Sequence, residues 1–76
     1  MEAFILLKAV GDHRKLMENL STFRNVSKVY NIAGDNDILI NVKTRDLEGF
    51  KELINKIRSM NDVINTTSYL VLQKFK

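Results

Sequence analysis

Seventy-six residues, 45% of them apolar, suffice for one small core and are too apolar for a disordered chain. The chain has no cysteine, which excludes a disulfide framework, an iron–sulfur cluster and a thiolate zinc site. A net charge of +3 raises the question of nucleic acid, but the twelve basic residues are scattered among nine acids instead of forming a stripe. They read as a solvated surface, and no direct DNA binding is expected.

Residues 3–10 (AFILLKAV) read as a strand, with Phe4, Leu6 and Val10 on one face and Ala3, Ile5, Leu7 and Ala9 on the other. Gly11 and Asp12 break it, and Asp12 is placed to cap a helix from His13 to about Leu20. Leu16, Met17, Leu20 and Phe23 give that helix one buried stripe. Residues 26–33 and 37–43 read as two further strands. Gly34, Asp35, Asn36 and Asp37 join them, a cluster of turn formers that makes residues 29–42 a hairpin. Ile38, Ile40 and Val42 share a face opposite Leu39 and Asn41. Thr44 or Asp46 caps a second helix reaching about Met60, with Leu47, Phe50, Leu53, Ile54, Ile57 and Met60 as its apolar stripe. Asn61 and Asp62 turn the chain into a last strand over residues 63–75.

The order β-α-β-β-α-β predicts an α+β, ferredoxin-like domain: one four-stranded antiparallel sheet with both helices on one face. The other face is left to water, yet the first strand offers it only Lys8 as a charge, and the last strand adds Tyr69, Leu70, Val71, Leu72 and Phe75. Shielding such side chains stabilises by roughly 1.5–3 kcal/mol each, and leaving them exposed makes the kind of patch that marks an interface. The pattern therefore predicts self-association through the open sheet face.

Catalytic chemistry finds little support. His13 is the single histidine and sits at a helix start, no serine has a base to activate it, and Gly11, Gly34 and Gly49 are too isolated for a phosphate loop. No motif calls for a cofactor or a metal. Asp35 and Asp37 suggest an acid pair, although two carboxylates at a turn more often cap backbone groups. An RNA-recognition module would need exposed aromatics on both central strands, and the third strand has none. No apolar run approaches the roughly 18 residues of a membrane helix, and the run 3–7 follows Glu2 and stops at Lys8, unlike a signal peptide. A cytoplasmic protein with no membrane partner is expected.

Three stretches, AFILL at residues 3–7, VSKVY at 26–30 and AGDNDILI at 33–40, together with VINTTSYLVL at 63–72, resemble the C-terminal effector domain of the Lrp/AsnC (feast/famine) transcription regulators. The resemblance runs the length of the chain, and its centre is a Gly-Asp-aromatic-Asp turn accompanied by a Thr/Ser strand. It implies a RAM domain (regulation of amino-acid metabolism) that pairs sheet to sheet as a homodimer, a dimeric α/β barrel, and assembles further into rings of the octamer or decamer kind. It also implies that a small amino-acid effector binds between dimers, near the turn and the last strand. The effector-binding residues carried over are Gly34, Asp35, Asn36, Asp37, Thr66 and Ser68. Gly34 would let the backbone approach the ligand, the acids would meet an ammonium, and the hydroxyls would meet polar groups.

The chain departs from that pattern where Asn36 replaces the aromatic of the turn, Asp62 a glycine and Ser68 a threonine. The helix-turn-helix half is not among these residues. The expectation is thus a non-enzymatic, stand-alone RAM protein that modulates transcription by hetero-association with full-length Lrp/AsnC regulators. Two alternatives remain open: a small monooxygenase-like α/β-barrel enzyme, with Lys8, Asn31, Asn41 and Gln73 lining a cavity, and a purely structural oligomerisation domain.

Overall fold

A computed structural model of the chain describes residues 1–34 and 37–76. It contains β1 (Glu2–Ala9), α1 (His13–Ser21), β2 (Val26–Asn31), β3 (Ile38–Lys43), α2 (Leu47–Arg58) and β4 (Val63–Leu70). The strands form one antiparallel sheet in the order β2-β3-β1-β4. The predicted ferredoxin-like fold is the observed one.

Alternation along β1 and β3 decides which face is covered. Ala3, Ile5 and Leu7 pair directly with Val42, Ile40 and Ile38, so the six side chains share a face, and none of them is exposed at all. Leu16 and Leu20 of α1 and Leu53, Ile54 and Ile57 of α2 complete that core, which places both helices on the same side of the sheet. Each helix begins as the sequence suggests. The Asp12 carboxylate accepts the backbone N–H groups of Arg14 and Lys15, and the Asp46 carboxylate accepts that of Gly49 at 2.9 Å. A Cβ at position 49 would lie 3.3 Å from the Asp46 oxygen, so the glycine that lowers helix propensity also makes room for the cap.

Three element ends differ from the sequence reading, each for want of a neighbour. β2 stops at Asn31, paired with Ile38, and among the described residues one further bond, from Ile32 N–H to the Asp37 carbonyl, extends the hairpin. β4 stops at Leu70, five residues before the predicted end. Val71 N–H still reaches the Glu2 carbonyl at 2.9 Å, but β1 begins there and offers no further ladder. α2 ends at Arg58, and Met60 reaches the core from the following turn instead of from the helix.

Candidate functional site

The hairpin between β2 and β3 carries four of the six sequence-predicted site residues. Asp35 and Asn36 lie outside the described residues. Gly34 is exposed at φ +131°, a conformation L side chains rarely adopt, and a Cβ there would meet nothing within 4 Å. Its need for glycine is thus conformational within this chain, and the space around it is open.

Asp37 is tied into the sheet at three points. Its N–H donates to the Leu7 carbonyl at 2.9 Å, its carbonyl accepts Ile32 N–H at 3.0 Å, and its carboxylate Oδ2 accepts Ala9 N–H at 2.9 Å. β3 leaves β1 at this residue, so the next donor of β1 would lose its partner. The carboxylate replaces the missing backbone acceptor, as buried donors require. His13 stands on the other side, with Nε2 at 3.2 Å from the Ala9 carbonyl and 3.9 Å from Asp37 Oδ2. This half-buried histidine, which the sequence places at a helix start, belongs to the clasp that holds the hairpin to α1.

Thr66 and Ser68 sit elsewhere. They pair with Leu7 and Ile5 respectively, which puts both on the helix side of β4, beside α2. Arg58 Nε donates to Thr66 Oγ1 at 3.3 Å, and Ser68 shares a hollow of about 340 Å³ with Phe50, Lys51, Ile54, Asn55 and Arg58. β1 lies between Thr66 and the hairpin, so two strand spacings, about 10 Å, separate them. Among the described residues, Gly34 and Asp37 therefore do not meet Thr66 and Ser68 within one chain. Arg58 is not among the residues the sequence singled out. The signal that could have found it is its position eight residues before Thr66 across a tight helix–strand turn. Asp62, in that turn, accepts Val10 N–H through its carbonyl at 2.9 Å, a contact open to any residue.

The open face of the sheet carries large apolar side chains among polar ones. Register places Lys28, Asn41, Phe4 and Tyr69 in one row and Tyr30, Leu39, Leu6 and Thr67 in the next. Phe4, Tyr30 and Tyr69 are 39%, 44% and 55% exposed. β1 also gives this face Glu2, whose carboxylate accepts the buried Asn41 side-chain N–H at 2.9 Å. Among the described residues no group of three or more histidines and acids is arranged to hold a metal ion, and no helix is long and apolar enough to cross a membrane.

A ferredoxin-like sheet bare on one face, with Asp37 anchoring the hairpin at the end of β1, defines a small α+β domain. The chain belongs to the Lrp/AsnC ligand-binding domain family, whose model matches residues 2–76. It is 30% identical over 77 residues to the HTH-type transcriptional regulator FL11 of Pyrococcus abyssi, covering 100% of this chain and 51% of that protein. It is 38% identical over 76 residues to homocitrate synthase of Sulfurisphaera tokodaii, covering 97% of this chain and only 16% of the synthase. Among solved structures, E. coli AsnC superposes with a TM-score of 0.90 at 26% identity over 99% of this chain and 52% of AsnC. The chain thus spans about half the length of the regulators it matches.

Proposed function

We propose that these 76 residues act as a non-enzymatic, oligomeric module that binds a small amino-acid effector and modulates transcription by associating with full-length Lrp/AsnC regulators. One observation carries this reading. The same domain matches half of a helix-turn-helix regulator and a sixth of a biosynthetic synthase. Neither DNA binding nor condensation chemistry is common to those two hosts, so what the domain contributes is something each can use. Effector sensing meets that requirement, and the family is defined by ligand binding.

The local chemistry agrees. The space beside Gly34 is open, Asp37 anchors the hairpin to β1 with carboxylate Oδ2, and its other oxygen is the acceptor assigned to a ligand ammonium. Thr66 and Ser68, two strands away, come into play when a second protomer brings its β4 to the first protomer's turn. Asp35 and Asn36 complete the proposed site. The engagement of Asp37 by Ala9 also favours one competing reading, a structural oligomeriser in which the acid serves the fold alone.

Calorimetric titration of the whole chain with each of the twenty amino acids distinguishes the two. The expected result is at least one ligand with a dissociation constant below about 1 mM. Asp35→Ala and Asp37→Asn should weaken it tenfold or more, the second while keeping an acceptor for Ala9. If no amino acid binds at millimolar concentration, the sensing reading fails and the oligomeriser remains.

A further inference from the structure

The basic residues that look scattered along the chain are not all scattered in space. Folding sets the loop after α1 against the end of β3. Lys43 N–H donates to the Asn25 carbonyl at 2.8 Å, and the Asn25 side-chain N–H donates to the Lys43 carbonyl at 2.9 Å. The loop after β3 is fixed in turn by Thr44, only 6% exposed, whose Oγ1 donates to the Asp46 carbonyl at 3.2 Å. Arg24 and Arg45 therefore stand on backbone that is held in place, and with Asn25 they line a hollow of about 400 Å³. Lys43 adjoins it through Asn25. Lys56, 5.0 Å from the centroid of the Phe23 ring, borders with Asn25 a neighbouring hollow whose one acid is Glu52.

All four of these cations are exposed. Among the described residues the ion pairs lie elsewhere, between His13 and Asp37, Arg14 and Glu18, and Glu48 and Lys51. Asp46, the acid next to Arg45, turns its carboxylate to the Gly49 N–H of its own helix. The positive charge of this end is thus left to an outside partner.

We propose that this end of the sheet, remote from the hairpin, is a contact for the phosphodiester backbone of a nucleic acid. Arg24 and Arg45 grip phosphate, and Lys43 and Lys56 extend the contact. The inference goes beyond the effector reading and does not depend on it. A polyanion fits this end better than a single bound anion. Guanidinium groups match phosphate oxygens bidentately, so two of them already satisfy one phosphate. The two lysines are used only if the anion continues past the hollow. Because every contributing cation is exposed, a strand can lie across them without entering the protein. Duplex DNA offers such a strand one charge per about 1.7 Å of axis, and contacts of this kind carry no sequence preference.

The test is fluorescence anisotropy of a labelled 20-base-pair duplex of arbitrary sequence, titrated with the whole chain between 50 and 200 mM salt. At 50 mM salt the dissociation constant should lie below about 100 μM, and affinity should fall roughly fortyfold by 200 mM, as about three phosphate contacts require. Arg24→Gln with Arg45→Gln should weaken binding at least tenfold and make the salt dependence shallower by about two contacts. Arg24→Lys with Arg45→Lys keeps the charge and should bind within fivefold of the native chain. Arg14→Gln with Lys15→Gln removes the same charge from the start of α1 and should stay within threefold. Thermal melting checks that every variant is folded. If the native chain does not bind at 300 μM and 50 mM salt, the contact is overturned. Equal losses in the two glutamine pairs would overturn it too, since the duplex would then respond to net charge alone. If inorganic phosphate perturbs the Arg24 and Arg45 resonances in nuclear magnetic resonance spectra while the duplex does not bind, the hollow takes a free anion and the nucleic-acid contact falls.

Discussion

Leu6 and Leu7 are the same residue one position apart, and they face different worlds. Leu7 points toward the helices, pairs with Ile38 and Thr66, and has no exposed surface. Leu6 points to the bare face, paired with Leu39 and Thr67 and only half-buried. A sheet with one covered face should show apolar residues inside and polar ones outside. Here both alternations are apolar across the middle of the sheet. The difference between the two leucines teaches that burial within the protomer accounts for only one of the two apolar faces. The other carries two Leu, a Phe and two Tyr, and neither helix covers them.

The sharpest way to break the comparison is to truncate both. Leu7→Ala opens a cavity in a packed interior and should cost about 2–5 kcal/mol, a large part of the stability of a 76-residue domain. Leu6→Ala should cost about 1 kcal/mol or less in the dissociated protomer and should show itself instead as weaker self-association. Chemical denaturation over a concentration series separates these contributions, because only the second depends on protein concentration. Equal, concentration-independent losses for the two variants would mean that the bare face is not an interface.

A middle-sized effect tests the hairpin clasp. Asp37→Ala leaves the N–H of Ala9, a residue only 8% exposed, without its acceptor. Such a loss costs about 1–3 kcal/mol, toward the lower end here because the Asp37 side chain is itself 29% exposed. Asp37→Asn keeps a side-chain carbonyl and should recover most of that loss. Thermal midpoints of the two variants measured side by side decide the matter. If Asn and Ala are equally destabilised, the charge facing His13 matters more than the hydrogen bond to Ala9.

The fold was legible because hydrophobic period and turn chemistry agreed along the whole chain. Asp12 and Asp46 cap the helices they precede, and the helix-side residues of β1 and β3 are those the alternation selects. What could not be read were ends that depend on a neighbour's length. Leu72 and Phe75 have strand propensity, but strand propensity measures fit to a paired surface, and β1 has already begun opposite Val71. The site was half legible for a similar reason. The turn formers announce a hairpin, but that Asp37 would supply the missing acceptor for Ala9 follows only from β3 leaving β1 at that residue. Likewise, that Arg58 would reach Thr66 follows from how α2 turns into β4.

The smallest expected effect bears on whether β4 belongs to the effector pocket. Thr66→Val keeps the β-branched shape and removes the oxygen that accepts Arg58 Nε. The contact is exposed, so stability should change by no more than about 0.5 kcal/mol, and the variant can be compared with the native chain without a folding correction. Once an effector is identified by calorimetry, its affinity should fall several-fold in Thr66→Val, through loss of the hydroxyl and release of Arg58 from its tether. A second variant, Arg58→Gln, separates the two causes, since it leaves the hydroxyl in place. If both variants bind like the native chain, the pocket is confined to the hairpin, and the Thr/Ser pattern of β4 only fills the space beside α2. If Thr66→Val alone weakens binding, the hydroxyl touches the ligand directly, and the 10 Å between β4 and the turn must be closed by a second protomer.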